Sequence, residues 1–179
     1  MSQIYITDYI ENPYIEERIL KGKISLKATN KVKVLLVWHQ HIDSKYLDQF
    51  PNLKGIARYG VGIDSIDIEE IKKRKLILCN TPDYGVDEVS DSTIAMIMNF
   101  QRGIGEYNNM AKGLFDSWET NTIKHLRRVS STRLGVLGAG TIGASVILKA
   151  KSLGFRVSFF DPIKESGFEK TLNVERFDC

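Results

Sequence analysis

Four short runs rich in aliphatic and β-branched residues recur along the first half of the chain: QIYITDYI, KVKVLLVWH, LKGIARYG and KLILCNTP. Turn-forming or charged residues bound each run, which predicts β-strands. The stretches between them, NPYIEERILKG, DSKYLDQF and DIEEIKKRK, predict helices. Asn12 is the expected N-cap of the first, with Pro13 at its first helical position. The third helix has acids in its first turn and bases in its last, as the helix dipole favours. Strands separated by helices pair in parallel through right-handed crossovers. Residues 1–95 are therefore expected to form an open, flavodoxin-like parallel α/β lobe.

The period then changes. Val86, Val89, Thr93, Ile97 and Phe100 fall three or four residues apart, and Ile104, Tyr107 and Met110 continue the stripe. This predicts one long helix, broken near Gly103 or Gly105. LFDSWETNTIKHLRRVSST reads as a loop. After it come an apolar strand (RLGVL), a glycine turn, a helix and a second strand (RVSFF) that ends at Asp161. Residues 96–179 are thus expected to hold the long helix, as a hinge or else a plain core helix, and the first βαβ unit of a Rossmann lobe, giving an α/β fold throughout.

Composition narrows the class. The chain has 179 residues, 42% hydrophobic and 26% charged, which suits a folded globular protein rather than a disordered one. Its formal net charge of +3 does not call for a polyanionic partner. No apolar run is long enough for a membrane span, and the N-terminus meets acids too early for a signal peptide. Two cysteines, Cys79 and Cys179, cannot build a disulfide framework, and Cys79 reads as a buried strand thiol. A cytoplasmic setting is expected. The basic stretch KHLRRVSSTR lacks interleaved aromatics and reads as a solvated face, so nucleic acid is not an expected partner.

Gly138, Gly140 and Gly143 form G-x-G-x-x-G directly after the strand RLGVL. The first glycine permits the tight turn, the second lets backbone approach a pyrophosphate, and the third lets helix and strand pack closely. The helix starting near Thr141 and Ile142 aims free N–H groups at that phosphate. A structural glycine turn is the bland alternative, but the strand–turn–helix–strand–acid context is complete. Asp161 would accept from the ribose hydroxyls and repel a 2′-phosphate, favouring NAD over NADP. Arg156 and Lys164, close in sequence, soften that preference.

The segment ARYGVGIDSIDIEEIKKRKLILCNTPDYGVDEVSDSTIAMIMNFQR resembles the D-isomer-specific 2-hydroxyacid dehydrogenases. The spacing of CNTP…DEVSDST and SLGFRVSFFDP is most similar to the C-terminal-binding-protein branch, NAD(H)-sensing corepressors. The resemblance runs from about Leu53 to Asp161. It implies that Tyr59, Gly60, Val61 and Gly62 hold a substrate carboxylate through backbone N–H groups, although a plain structural turn would need the same small residues. It also implies that Thr93 meets the cofactor, unless its hydroxyl is taken by its own helix backbone. Thr141 departs from the arginine or asparagine common in relatives, and Ser65 and Asp91 replace a frequent Asn and Glu, read as neutral changes.

In that family an arginine, a histidine and an acid that orients the histidine carry out the chemistry. All three would lie beyond the last residue, so no catalytic residue is assigned. His39, His41 and His125 are the only histidines, none with an evident carboxylate behind it, and the H-x-H spacing alone makes no metal site. The expected function is therefore hydride transfer between NAD(H) and a small 2-hydroxy or 2-oxo acid. The chain reads as a C-terminally truncated form, inactive alone, which would act as a homodimer or with a missing C-terminal half. A non-catalytic NAD-sensing or corepressor-like module is the alternative.

Overall fold

The computed structural model describes residues 3–8, 10–25, 27–113, 123–124 and 126–177. His125, Cys179 and residues 114–122 of the loop expected over 114–132 lie outside the described residues. The chain divides into two compact units, Met1–Tyr84 and Gly85–Cys179.

The first unit runs β1 (Ile4–Ile6), α1 (Tyr14–Leu20), β2 (Ile24–Ser25), β3 (Val34–Val37), α2 (Ser44–Leu47), β4 (Gly55–Arg58), α3 (Ile68–Lys73) and β5 (Ile77–Cys79). All strands are parallel, in the order β2-β1-β3-β4-β5. The four expected strands are present. β2 is an addition, a two-residue strand whose identity comes from pairing with β1 rather than from its own pattern.

Val32, Leu35, Val37, Phe50, Ile56 and Ile71 are buried at the centre of this unit. Each such side chain contributes about 1.5–3 kcal/mol of burial free energy. The Asp43 and Asp67 carboxylates cap α2 and α3 by accepting from Tyr46 N at 2.7 Å and Glu70 N at 3.1 Å. Asn12 does not cap α1. Pro13 occupies the N-cap position, no side chain caps the helix, and none of its residues is buried.

Strand order corrects the reading of Cys79. β5 is an edge strand, so its thiol is exposed, not buried, and Ile77 is 68% exposed. Strand order also reverses between β1 and β3, the point where open α/β sheets present backbone N–H groups to ligands. Here Asp8 fills that point. Its carboxylate accepts from Trp38 N at 2.7 Å, His39 N at 2.8 Å and Gln40 N at 3.1 Å. Burial alone would raise its pKa, but the Thr7 hydroxyl and these three N–H groups outweigh that and hold it below the usual carboxylate value.

The second unit runs α4 (Val86–Arg102), α5 (Ile104–Ala111), β6 (Arg133–Leu137), α6 (Thr141–Ser152), β7 (Arg156–Phe160), α7 (Phe168–Leu172) and β8 (Glu175–Arg176). The expected division after residue 95 falls inside α4, which lies wholly in this unit. The helical stripe breaks at Gly103, where φ is +60° and an added Cβ would lie 2.7 Å from the Ile123 side chain. The strands form a parallel sheet in the order β6-β7-β8, so β8 adds a third to the two expected. β6 remains an edge, and Leu137 at its end is 87% exposed.

A polar cluster pins α4 to α6. Lys149 Nζ donates to Asp91 Oδ1 at 2.6 Å and to the buried Ser90 hydroxyl at 2.7 Å, with Asp87 Oδ1 at 3.4 Å. Asp91, which keeps the acid that a glutamate would bring, is the carboxylate that meets Lys149. That hydrogen bond, helped by Asp87, raises the lysine pKa and keeps it an ammonium. Ser90 consequently has no neutral amine to act as its base.

Candidate functional site

The glycine turn joins β6 to α6, and its glycines have distinct surroundings. Gly138 has φ +87°, a conformation that disfavours any residue with a Cβ. A Cβ on Gly143 would lie 2.0 Å from Gly138 O, so only glycine lets α6 pack this closely on the turn. Gly140 faces open space. Helix α6 starts at Thr141, followed by Ile142, with no side-chain cap, which leaves its first-turn N–H groups for an anion. Open space beside the middle glycine and an uncapped helix start fit a dinucleotide pyrophosphate.

Asp161 directly follows β7 beside this turn and is buried. Its Oδ2 accepts from Ala139 N at 2.7 Å, and its Oδ1 from Ile163 N at 2.9 Å and Lys164 N at 3.3 Å. The Ala139 bond first, then that of Ile163, holds the carboxylate below its usual pKa, so it is ionised at neutral pH. A carboxylate offers about four acceptor positions. Three are used, and the remaining one, on Oδ2, suits a single ribose hydroxyl. Arg176 fixes the loop after it, donating to Asp161 O and Lys164 O, both at 3.0 Å. Arg156 begins β7 and Asp161 follows its end, so four residues of extended strand lie between them and Arg156 does not act on the acid's charge preference.

Thr93 lines a cavity of about 400 Å³ together with Gly138, Ile142 and Gly143. Its hydroxyl donates to Val89 O at 2.7 Å, the helix-backbone bond that was its alternative reading.

In the first unit, Tyr59, Gly60, Val61 and Gly62 follow the carboxyl end of β4. Tyr59 N donates to Val37 O at 2.8 Å, Thr81 N to Gly60 O at 3.2 Å, and Asn80 Nδ2 to Val61 O at 2.9 Å. The last two bonds take the Gly60 and Val61 carbonyls, but the first takes the Tyr59 N–H, so Tyr59 keeps no backbone donor for the substrate carboxylate it was expected to hold. The N–H groups of Gly60, Val61 and Gly62 have no backbone acceptor among the described residues. The Tyr59 phenol donates to Glu16 Oε1 at 2.9 Å. Burial, then the bond and charge of Glu16, raises its pKa, so it stays a neutral phenol.

Arg58 is a site residue that sequence reasoning missed. Its Nε and Nη1 are buried without a hydrogen-bond partner, and a Cβ on Gly60 would come within 2.7 Å of Nη1. An unpaired guanidinium folded against a loop of free N–H groups is a ready counter-charge for an anion. The available signal was a cation ending an apolar strand two residues before a glycine. His39 and His41 are exposed; the His39 ring stacks on Trp38 at 4.4 Å, and no carboxylate pairs with either imidazole among the described residues.

Residues 6–166 match the family model for the D-isomer specific 2-hydroxyacid dehydrogenase catalytic domain. The chain is 29% identical over 159 residues to C-terminal-binding protein 1 of Caenorhabditis elegans, covering 86% of this chain and 22% of that protein. It is 32% identical over 137 residues to glyoxylate reductase of Korarchaeum cryptofilum, covering 75% of this chain and 41% of that protein. Its fold matches a D-lactate dehydrogenase from Aquifex aeolicus, solved with NAD and lactic acid. The TM-score is 0.77 at 22% identity, over 97% of this chain and 54% of that one. A glyoxylate/hydroxypyruvate reductase from Sinorhizobium meliloti, described as NADPH-dependent, matches with a TM-score of 0.76 at 21% identity, over 99% of this chain and 58% of that one. The chain thus spans less than half the length of these two relatives and a little over half that of the solved structures. With a family model matched over most of its length, the chain belongs to the D-isomer-specific 2-hydroxyacid dehydrogenase family.

Proposed function

We propose that this chain supplies the cofactor-binding turn and the substrate-carboxylate loop of an NAD-dependent dehydrogenase of small 2-hydroxy or 2-oxo acids. The observation that carries this reading is the glycine turn, with its uncapped helix start, open space at Gly140 and ionised Asp161. When bound, NAD(H) supplies the hydride donor or acceptor. The chain's own residues bind and orient: α6 holds the pyrophosphate, the free position of Asp161 holds one ribose hydroxyl, and Thr93 borders the same turn.

In the first unit, Arg58 and the N–H groups of Gly60, Val61 and Gly62 hold the substrate carboxylate. The first unit acts as the substrate lobe, and the second as the start of the nucleotide lobe. The proton-transfer groups come from a C-terminal half, whether of a longer polypeptide or a separate one, and the open β6 edge offers it a strand to pair with. A homodimer in the cytoplasm completes the reading; the exposed Cys79 thiol suits a reducing compartment. No helix among the described residues is long and apolar enough to cross a membrane.

A second reading, a non-catalytic NAD-sensing module, draws on the two exposed, acid-free histidines and on the likeness to C-terminal-binding protein 1. Calorimetric titration with NAD, and separately with oxalate as a mimic of a 2-oxo acid, tests both. Binding of NAD and oxalate supports the dehydrogenase. Binding of NAD alone favours the sensor, and binding of neither overturns both.

A further inference from the structure

Five exposed arginines gather at the end of the second unit opposite the glycine turn. Arg133 and Arg156 start β6 and β7 and are register partners, so their side chains leave the sheet side by side on one face. Hydrogen bonds tie three more arginines to them. Arg156 N donates to Thr132 O at 3.1 Å, and the Thr132 hydroxyl donates to Arg128 O at 3.0 Å. Gln101 Nε2 bridges Thr132 Oγ1 at 2.9 Å and Arg127 O at 2.7 Å, and Arg102 Nη1 reaches Arg127 O at 3.5 Å.

None of the five forms an ion pair among the described residues. Glu175, opposite Ser158 on the neighbouring strand, makes no ion pair with Arg156. Like charges directly opposite on adjacent strands destabilise a sheet. Elsewhere this protein does pair its clustered charges, as around Arg74 and Lys149. This unneutralised arginine cluster on a sheet end therefore has no compensation among the described residues.

We propose that this arginine surface, formed by Arg102, Arg127, Arg128, Arg133 and Arg156, binds the phosphodiester backbone of duplex nucleic acid without reading its sequence. Guanidinium groups match phosphate oxygens bidentately, and the five lie on two strand starts, the segment before β6 and the end of α4. No aromatic residue lies among the five, which removes the stacking platform that single strands require and leaves phosphate contact as the mode. The cluster draws on residues far apart in sequence, which is why KHLRRVSSTR alone did not reveal it. The surface is independent of the dehydrogenase reading.

The test is fluorescence anisotropy of a labelled duplex of about 20 base pairs against the full chain, at roughly 50 to 200 mM salt. We expect log K to fall with log salt at a slope of about −4.5 for the five arginines, since each phosphate contact contributes about −0.9. Arg133→Gln with Arg156→Gln should make the slope shallower by about two. Its fold is checked by thermal melting, which should not fall because a like-charge pair has been removed. Arg127→Gln with Arg128→Gln, away from the sheet, should weaken the slope similarly, whereas Arg133→Lys with Arg156→Lys should keep the slope of the unmutated chain. No binding at the lowest salt, or a slope unmoved by both glutamine pairs, overturns the proposal. So does equal displacement by a polyglutamate peptide of matched charge, which would assign the surface to acidic protein segments.

Discussion

The Asp161 carboxylate lies 2.7 Å from the Ala139 N–H, so the acid that follows β7 also closes the glycine turn that follows β6. One side chain thereby serves both the shape of the cofactor turn and its charge. Asp161→Ala should narrow the preference for NAD over NADP by about fivefold, since the lost repulsion acts at a partly exposed 2′-phosphate. Paired titrations with the two dinucleotides measure this. Equal affinities in the unmutated chain would remove Asp161 as the selector.

The same bond gives a pH dependence with a definite sign. Asp161 and Asp8 both have folded-state pKa values lowered from 3.8, so the native state binds protons less readily than the unfolded chain. Their contribution is complete above the ordinary carboxylate value and is lost as pH falls through the lowered values. Urea midpoints should stay level from about pH 7 to 5 and drop steeply below about pH 4. Asp8→Asn should flatten that drop, and an unchanged profile would mean its three N–H bonds do not stabilise the carboxylate in solution.

Two glycines separate folding from binding. A Cβ at Gly143 would lie 2.0 Å from Gly138 O, so Gly143→Ala forces the turn apart. It should cost about 1–3 kcal/mol of stability, as overpacking does, and lose dinucleotide binding with it. Gly140 faces open space at φ −67°, so Gly140→Val should fold normally yet weaken NAD by about tenfold or more, because its side chain occupies the pyrophosphate approach. Melting curves and calorimetry on both variants decide this. Equal stability losses would contradict the assignment.

Arg58 should behave as a binding residue rather than a structural one. Its buried Nε and Nη1 have no partner, so Arg58→Met removes unsatisfied polar groups and should leave stability unchanged or raised by about 1 kcal/mol. Oxalate affinity should fall by roughly 10- to 100-fold, the value of a charge-assisted hydrogen bond. A large stability loss with oxalate binding intact would assign Arg58 to the fold.

The purified chain should not oxidise NADH with glyoxylate, pyruvate or hydroxypyruvate. General acid–base catalysis contributes roughly 10²–10⁴-fold, and the exposed, acid-free His39 and His41 are not built to supply it. Absorbance at the NADH band gives the readout. Turnover that disappears in Gly140→Val would place the acid/base within this chain, whereas turnover only with an added downstream polypeptide would match a two-part enzyme.

Features set within a few residues were legible in the sequence. The parallel α/β class, the acids and bases at the ends of α3, the break at Gly103 and the three glycines all follow from local spacing and backbone conformation, which neighbouring residues determine. Features set by pairing across the chain were not. β2 exists through β1, and Cys79 is exposed because strand order makes β5 an edge. Asp161 meets the Ala139 N–H across two strands, and Arg133 stands beside Arg156 through register. Each depends on which distant segments meet. Strand order and register minimise free energy over the whole sheet, and no window of the sequence contains that information.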